Sequence, residues 1–370
     1  MDDIAGSRLR AAREAAGLSL SALAARTHYS RALLGLLETG QRHITPEHVA
    51  AYSRALGVSV RTLESPPDDP LRIAHEWLVL DTPSKVHTRS GRRVGHTLAA
   101  ELERRVIELR RLDDSIGGRD LHPVVSKELR DAEEIVRNGS YSTEVGRRLL
   151  TVVGELAQLA GWVASDAGRF EEARRIYLDG HRAAAAAGAR ALAGQLLSTL
   201  AYQEANVGSA ADAVLIARSA VAGATDATPT ARALLLERVA WSSARARDTD
   251  TVRRTLDAVD DAYENRSDGV VEPDWVYWFN RDEIDVMAGR CFVELGDGRN
   301  AQPLLSRAID AYPSDHAREV ALYRTWLAEA YAKGGQFDAA EHTLALIDGD
   351  AGSDRVDRRV REVTRLMNRR

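Results

Sequence analysis

The sequence has little of several features that would assign it to a class at once. It has one cysteine, Cys291, which excludes an intrachain disulfide and is typical of proteins from a reducing compartment. No apolar run approaches the roughly 18 residues of a membrane-spanning helix, and the charged N-terminus has no apolar signal region. These absences predict a cytoplasmic protein that makes no membrane contact.

Signals of catalysis are scarce as well. The sequence has no Cys/His cluster at metal-binding spacing, no phosphate-binding glycine loop and no nucleophile elbow. Its ten histidines are scattered along the chain. We therefore expect no enzyme activity, no metal site and no cofactor.

Charge is distributed unevenly along the chain, although the net charge of -5 alone does not indicate a nucleic-acid-binding protein. Residues 1–65 hold 8 Lys+Arg and 6 Asp+Glu, whereas the remainder holds 42 and 49, so the two parts carry about +2 and about -7. A small basic module attached to an acidic body is compatible with a local DNA contact.

The dominant pattern is helical. Apolar residues recur at i, i+3, i+4 and i+7 nearly everywhere, and Ala, Leu, Arg and Glu predominate, so we predict an all-α fold. The clearest linker is SPPDDP at 65–70, because its three prolines interrupt any helix. The irregular stretch 81–95 carries Lys85, Arg89, Arg92 and Arg93, which are either auxiliary phosphate contacts or part of a solvated basic loop.

The first 65 residues contain five short predicted helices. The first ends near Gly17, a helix-stopping residue, and the second begins after Ser19 as N-cap. The third runs from the N-cap Ser30 to Glu38. The fourth begins at Thr45-Pro46 and ends at Gly57, and the fifth is the short SVRTLE. Two short helices joined by a tight turn predict helix-turn-helix geometry.

Within this module, three features carry a family resemblance. They are Leu23-Ala24 in the second helix, Glu38-Thr39-Gly40 followed by Arg42, and the closing Ala55-Leu56-Gly57-Val58. The segment resembles the phage-repressor-like, xenobiotic-response-element type of helix-turn-helix over nearly all of residues 6–64.

The resemblance implies roles for individual residues. A buried arginine of the first helix, here Arg13, would pair with Glu38 and hold the recognition helix at its angle. Leu34 and Leu37 would point inward. The family's usual glutamine at the start of the second helix is replaced by Leu20, which removes one expected DNA contact and favours a dimer on a palindromic site.

The DNA-facing residues follow from the same resemblance. Arg31 is the best candidate base reader, since a guanidinium matches guanine O6 and N7, and its alternative role is a phosphate contact. Leu33 or Leu36 would cover a thymine methyl or pack at a dimer surface. The complete predicted DNA-binding set is Tyr29, Ser30, Arg31, Ala32, Leu33, Gly35, Leu36, Gln41, Arg42 and His43.

The remaining 300 or so residues contain a degenerate repeat. The segments 160–184 and 327–347 place small residues, a glycine and aromatics at spacings that resemble the tetratricopeptide pattern, and weaker copies lie between them. The equivalent turn positions are 168, 208, 247, 296 and 335, about 40 residues apart. We predict about five repeats, in which small residues let paired helices approach and aromatics fill the gaps.

Stacked repeats would form a concave surface lined by the first helix of each pair. The same outward positions on successive first helices bring together aromatic, amide and charged side chains. This set of side chains has two interpretations. Either they line a ligand groove, or the aromatics pack against a neighbouring helix or the N-terminal domain. The predicted ligand-binding residues are Gln158, Trp162, Asp166, Tyr202, Asn206, Glu237, Trp241, Arg245 and Arg290.

A further aromatic cluster, Trp275, Tyr277 and Trp278, is expected at a helix start, where packing between repeats is its simplest role. The predicted organisation is a helix-turn-helix domain at 1–65, a linker at 66–95, a connecting or capping helical pair at 96–140, and a tetratricopeptide-like α-solenoid at 141–370 for sensing and dimerisation.

This combination resembles the signal-responsive regulators of Gram-positive bacteria, including those that sense peptide pheromones, and especially the regulators of high-GC actinobacteria. The resemblance implies a homodimer that binds double-stranded operator DNA and senses a peptide or a small molecule. The alternative is that the repeats form a scaffold for a partner or antagonist protein, with no small ligand.

Overall fold

Helices make up almost all of the regular structure that the computed structural model describes, which confirms the all-α prediction. The chain divides into two units, Met1–Pro83 and Ser84–Arg370, and each is treated separately below. The structure describes residues 6, 9–10, 12–14, 18–56, 60, 63, 69–79, 92–113, 118–267, 269–312, 317–347 and 354–368.

The first unit contains the predicted succession of short helices. They are α1 (Leu20–Thr27), α2 (Arg31–Glu38), α3 (Pro46–Leu56) and α4 (Pro70–Val79). Residues 6, 9–10 and 12–14 are helical too and are called the N-terminal helix below, and residues 60 and 63 are helical. Gly17 and Gly57, the predicted ends of two helices, lie outside the described residues.

Serine caps set the beginnings of α1 and α2. The hydroxyl of Ser19 accepts a hydrogen bond from the Ala22 amide at 3.1 Å, and that of Ser30 accepts one from the Leu33 amide at 3.1 Å. Each bond satisfies an amide that has no partner within its helix. Both predicted N-caps are therefore confirmed.

The segment 66–95, predicted as a linker, contains α4. Proline 70 is the first residue of this helix, where its missing N–H costs nothing, so the proline-rich stretch starts a helix instead of only ending one. Lys85 and Arg89 lie outside the described residues. The backbone of Arg92–Arg93 forms a two-residue strand, β1, that pairs in parallel with β2 (Gly139–Ser140).

The second unit is a succession of helices. In chain order they are α5 (His96–Asp113), α6 (Gly118–Asn138), α7 (Thr143–Asp166), α8 (Phe170–Ala187), α9 (Arg190–Val207), α10 (Ala210–Gly223), α11 (Pro229–Arg245), α12 (Thr249–Glu264), α13 (Arg281–Leu295), α14 (Gly298–Ala311), α15 (Ala317–Lys333), α16 (Phe337–Ala345) and α17 (Asp354–Met367).

From α7 to α16 the helices pack in five successive pairs, and the first helix of each pair also contacts the first helix of the next. This is a helical repeat-like stack, as predicted. The helix α17 packs on α15, so it takes the place that the first helix of a sixth pair would take. The helices α5 and α6 both pack on α7, at the other end of the stack.

Tight turns join the helices of several pairs. Gly168, Gly296 and Gly335 have φ of 77°, 80° and 75°, in the left-handed region that only glycine adopts at little cost. The equivalent residue of the third pair is Arg247, which adopts a φ of 63° without being glycine. Its guanidinium donates to the backbone carbonyl of Glu294 in the next pair, a contact that glycine could not make.

Small residues let the paired helices approach each other. A Cβ atom added to Gly161 would lie 2.4 Å from the Tyr177 ring, and one added to Gly289 would lie 2.7 Å from Leu305. Both distances are far below van der Waals contact. The small-and-aromatic pattern in the sequence therefore reflects close packing of the two helices of a pair.

Between α12 and α13 lies an inserted segment with a short 3-10 turn, Asp274–Val276. Trp275 is buried there, so the predicted aromatic cluster precedes the helix α13 rather than beginning it. Asp274 binds Arg110 at 2.6 Å and Arg111 at 2.7 Å, both from the end of α5. These ion pairs fasten the insertion to α5.

Candidate functional site

The helix α2 is held in place by a buried ion pair from the N-terminal helix. Arg13 Nε and Nη2 donate to the two carboxylate oxygens of Glu38 at 2.8 Å each. The Tyr52 hydroxyl from α3 donates to the same carboxylate at 3.1 Å, and Arg13 also donates to the Leu18 carbonyl at 2.8 Å. Three helices are thus joined at the last residue of α2, in the arrangement that the family resemblance implies for Arg13 and Glu38.

The faces of α2 are clearly separated. Leu34 and Leu37 are fully buried in the core of the first unit, with Leu9, Leu23 and Tyr52. Leu36 is 40% exposed, and Arg31 and Ala32 are exposed at the start of the helix. The inward assignment of Leu34 and Leu37 and the outward assignment of Leu36 agree with the prediction, whereas Leu33, expected on the outward side, is half-buried against the core.

The other predicted DNA-facing residues differ in their surroundings. Gln41, Arg42 and His43 are exposed just after α2. Ser30 is exposed but its hydroxyl caps α2. Tyr29, Leu33 and Gly35 are half-buried, and the ring of Tyr29 packs edge-on against His48 with centroids 5.2 Å apart. The exposed members lie along the beginning of α2 and the turn that follows it.

In the second unit, the first helices of the five pairs line a common cavity of about 600 Å³. Of the nine predicted ligand-binding residues, seven line it. Six of them form pairs one turn apart on α7, α9 and α11, and the seventh lies on α13. The seven are Trp162, Asp166, Tyr202, Asn206, Trp241, Arg245 and Arg290.

The aromatic residues of this cavity form a continuous row. Ring centroids are 6.2 Å apart from Trp162 to Tyr202, 6.3 Å from Tyr202 to Trp241 and 5.6 Å from Trp241 to Trp326. The predicted set omits Trp326. Trp326 lies on α15 three residues before Glu329, which also lines the cavity, so the i, i+3 relation places both on one face of the helix.

Two predicted polar residues already have partners within the protein. Asn206 donates to the Tyr202 carbonyl at 2.8 Å and accepts from the Trp241 indole N–H at 3.2 Å. Arg245 donates to the Ala205 carbonyl at 3.0 Å and to Glu294 at 2.8 Å. Both side chains therefore hold neighbouring first helices together as well as lining the cavity.

The remaining two predicted residues are placed elsewhere. Gln158 lines a second cavity of about 540 Å³, which shares Trp162, Tyr202 and Arg290 with the first. Glu237 is 1% exposed and does not line either of these cavities. Its carboxylate has no hydrogen-bond partner in the described part of the chain, and burial raises its pKa to about 8, so the group is mostly protonated at neutral pH.

The C-terminal helix α17 forms one wall of the first cavity and was absent from the predicted site. Its Val363 and Met367 pack on alanines of α15 and α16. The guanidinium of Arg359 lies 3.7 Å from the centroid of the Trp326 ring and pairs with Glu329. The alternation of apolar and arginine residues in VDRRVREVTRLM is the sequence signal that could have indicated an amphipathic helix here.

Comparison with known proteins agrees with the geometry of the first unit. Residues 4–65 match the family model described as a helix-turn-helix domain. No curated protein matches the chain. Among the described helices, none is both long and apolar enough to cross a bilayer. The N-terminal domain thus supports a DNA-binding transcription regulator, and it suggests a regulator rather than an enzyme.

Proposed function

We propose that the chain is a homodimeric transcription regulator that binds a palindromic operator through α2 and binds a signal in the cavity of its helical stack. The signal is a peptide or a small molecule. The site of action is the cytoplasm, where operator DNA is found. The stack is tetratricopeptide-like, in keeping with its small residues and turn glycines.

Exposed side chains at the start of α2 support the DNA-binding part of the proposal. In helix-turn-helix proteins the N-terminal residues of the recognition helix contact base edges, and Arg31 stands at the first position of α2. A guanidinium there can bind guanine bidentately, while Arg42 and the amides at helix starts contact phosphates. Leu36 is available to cover a thymine methyl group.

The common cavity is the single observation that carries the sensing part. Its lining comes from the first helix of every pair and from α17, so one bound molecule would contact elements spread over about 200 residues. Binding that favours one curvature of the stack over another would shift the population between them. In a dimer, a change of curvature would alter the spacing of the two α2 helices.

The first experiment tests DNA binding and signal control together. DNA bound by the full-length protein is mapped across the source genome, with and without native cell extract. We expect discrete palindromic sites whose occupancy changes with extract. The purified protein should retard such a DNA fragment in a gel, and light scattering should give the molar mass of a dimer. Absence of discrete sites would overturn the DNA-binding proposal.

The second experiment tests the cavity. Tryptophan fluorescence of the full-length protein is titrated with fractions of native extract, and Trp241→Ala should abolish the saturable quenching seen with the parent protein. If no fraction causes quenching and a protein partner co-purifies stoichiometrically instead, the scaffold function replaces the signal-binding function.

A further inference from the structure

The arginine at position 290 of α13 has an unusual position for a charged residue. Its side chain is in the wall shared by both cavities, and the residue is only 7% exposed. Burial of a charged group away from water is unfavourable unless another charge compensates it. The surroundings of Arg290 therefore indicate what the cavity can bind.

Those surroundings are aromatic. The guanidinium carbon lies 4.6 Å from the Trp241 centroid, 4.9 Å from that of Trp326 and 5.6 Å from that of Tyr202. Its Nη2 atom donates to the Tyr202 hydroxyl at 2.8 Å. Cation–π attraction offsets part of the desolvation, but the rings carry no net charge.

No carboxylate among the described residues lies within ion-pair distance of Arg290, and its Nε atom has no hydrogen-bond partner there. Two other arginines of the same cavity differ in this respect. Arg245 pairs with Glu294 at 2.8 Å, and Arg359 pairs with Glu329. Among the described residues that line the first cavity, Arg290 is thus the buried cation without an ion-pair partner.

Two buried acids, Glu237 and Glu283, interact electrostatically with Arg290, but neither forms an ion pair with it. Burial raises the pKa of Glu237 to about 8, so it is mostly neutral at pH 7. Burial also raises the pKa of Glu283, whose carboxylate accepts hydrogen bonds from Tyr312 and Tyr323. An anion that enters the cavity would complete the site.

A second buried polar atom belongs to a residue that lines the first cavity. The Oε1 atom of Gln203 is buried and has no hydrogen-bond partner among the described residues, while its Nε2 atom donates to the Phe170 carbonyl at 2.9 Å. Gln203 lines the first cavity beside Tyr202. A buried acceptor of this kind is satisfied by a ligand that offers an N–H group.

We propose that the cavity binds a ligand whose carboxylate pairs with Arg290 and whose flat apolar body packs along the row of Trp162, Tyr202 and Trp241. This inference rests on the proposed signal binding and specifies its chemistry. The carboxylate belongs either to a free aromatic acid or to the C-terminus of a short peptide. An N–H group near the carboxylate is the donor for Gln203.

The test uses matched probes on the full-length protein in calorimetric titrations. Indole-3-acetate and N-acetyl-phenylalanine are each compared with the corresponding neutral primary amide. A pentapeptide mixture ending in aromatic residues is compared with the same mixture amidated at its C-terminus. We expect at least one carboxylate set to bind about tenfold or more tightly than its amides.

Arg290→Gln should remove this preference, whereas Arg253→Gln, on the exposed face of α12, should keep it. Arg290→Lys retains the charge and should keep part of the preference, which separates a lost ion pair from a lost fold. Equal binding of acids and amides, or an unchanged preference in Arg290→Gln, would overturn the proposal.

Failure of this inference is distinguishable from failure of the proposed function. If none of the carboxylate probes binds while fractions of native extract still quench the cavity tryptophans, the carboxylate chemistry is wrong and signal binding stands. If neither probes nor fractions bind, both are wrong.

Discussion

Arg13 and Glu38 form a two-bond ion pair between the N-terminal helix and the last residue of α2, with both N–O distances at 2.8 Å. The side chains are 9% and 3% exposed. Glu38 is therefore unavailable as a base reader, although it stands at the end of the helix that we expect to read DNA. Its role is to fix the position of α2 within the first unit.

Glu38→Gln should destabilise the first unit by about 3 kcal/mol, because it leaves the buried Arg13 guanidinium without its counter-charge. Urea denaturation combined with hydrogen exchange of residues 20–56 measures the loss. The exposed pair Arg10–Glu14 provides the control, since Arg10→Gln should cost less than about 1 kcal/mol. Equal effects of the two substitutions would contradict a structural role for Glu38.

Gly35→Ala should separate stability from DNA binding. A Cβ atom at this position of α2 would meet nothing within 4 Å, and alanine in place of glycine stabilises a helix interior by about 1 kcal/mol. If Gly35 faces DNA as predicted, the added methyl group should weaken operator binding while the melting temperature rises. Fluorescence anisotropy on an operator duplex and calorimetry measure both. Unchanged affinity would remove Gly35 from the DNA-facing set.

Gly161→Ala should destabilise the second unit by about 1–3 kcal/mol, since the new methyl group would overlap the Tyr177 ring. The measurement is the free energy of unfolding of the full chain. Tyr177→Leu makes room at the same place, so the cost of Gly161→Ala should fall in that background. If the effects of the two substitutions on the free energy of unfolding are additive, overlap with the Tyr177 ring is not the cause of the destabilisation.

The imidazole of His181 should make stability depend on pH. The residue is buried between α8 and α9, its Nδ1 atom donates to the Ala193 carbonyl at 3.0 Å, and burial lowers its pKa to about 4. The unfolded chain, with the ordinary value of 6.5, binds this proton more readily. Stability should therefore fall by about 3 kcal/mol as the pH drops from about 6.5 to about 4.

His181→Gln removes the titrating group and should flatten this part of the stability profile. The exposed His342 serves as the control, because His342→Gln should leave the slope unchanged. Denaturation midpoints at a series of pH values check both. A slope in His181→Gln as steep as in the parent protein would assign the effect to other groups.

Local signals in the sequence predicted the elements of the first unit well. N-cap serines and the glycine after α2 depend on hydrogen bonds and backbone freedom within a few residues, so Ser19 and Ser30 could be assigned from their neighbours alone. The proline-rich stretch before α4 was less informative. Proline ends one helix and begins another by the same geometry, and the linker prediction did not include α4.

Seven of the nine residues predicted from first-helix positions line the first cavity, because a turn of helix repeats every 3.6 residues. Glu237, one turn before Trp241 on α11, proved to be buried away from both cavities. Trp326 and the wall formed by α17 were missed. Whether these residues meet the others depends on how the pairs stack.

The sequence by itself determined the helical class, the helix-turn-helix module and the face of each first helix, since all of these follow from periodicity and local capping. Only the tertiary structure decided which charges are paired. Arg245 and Arg290 belong to the same predicted set, yet Glu294 lies beside the first and aromatic rings surround the second. Ion pairing depends on distances of a few ångströms between separate helices, which spacing along one chain does not specify.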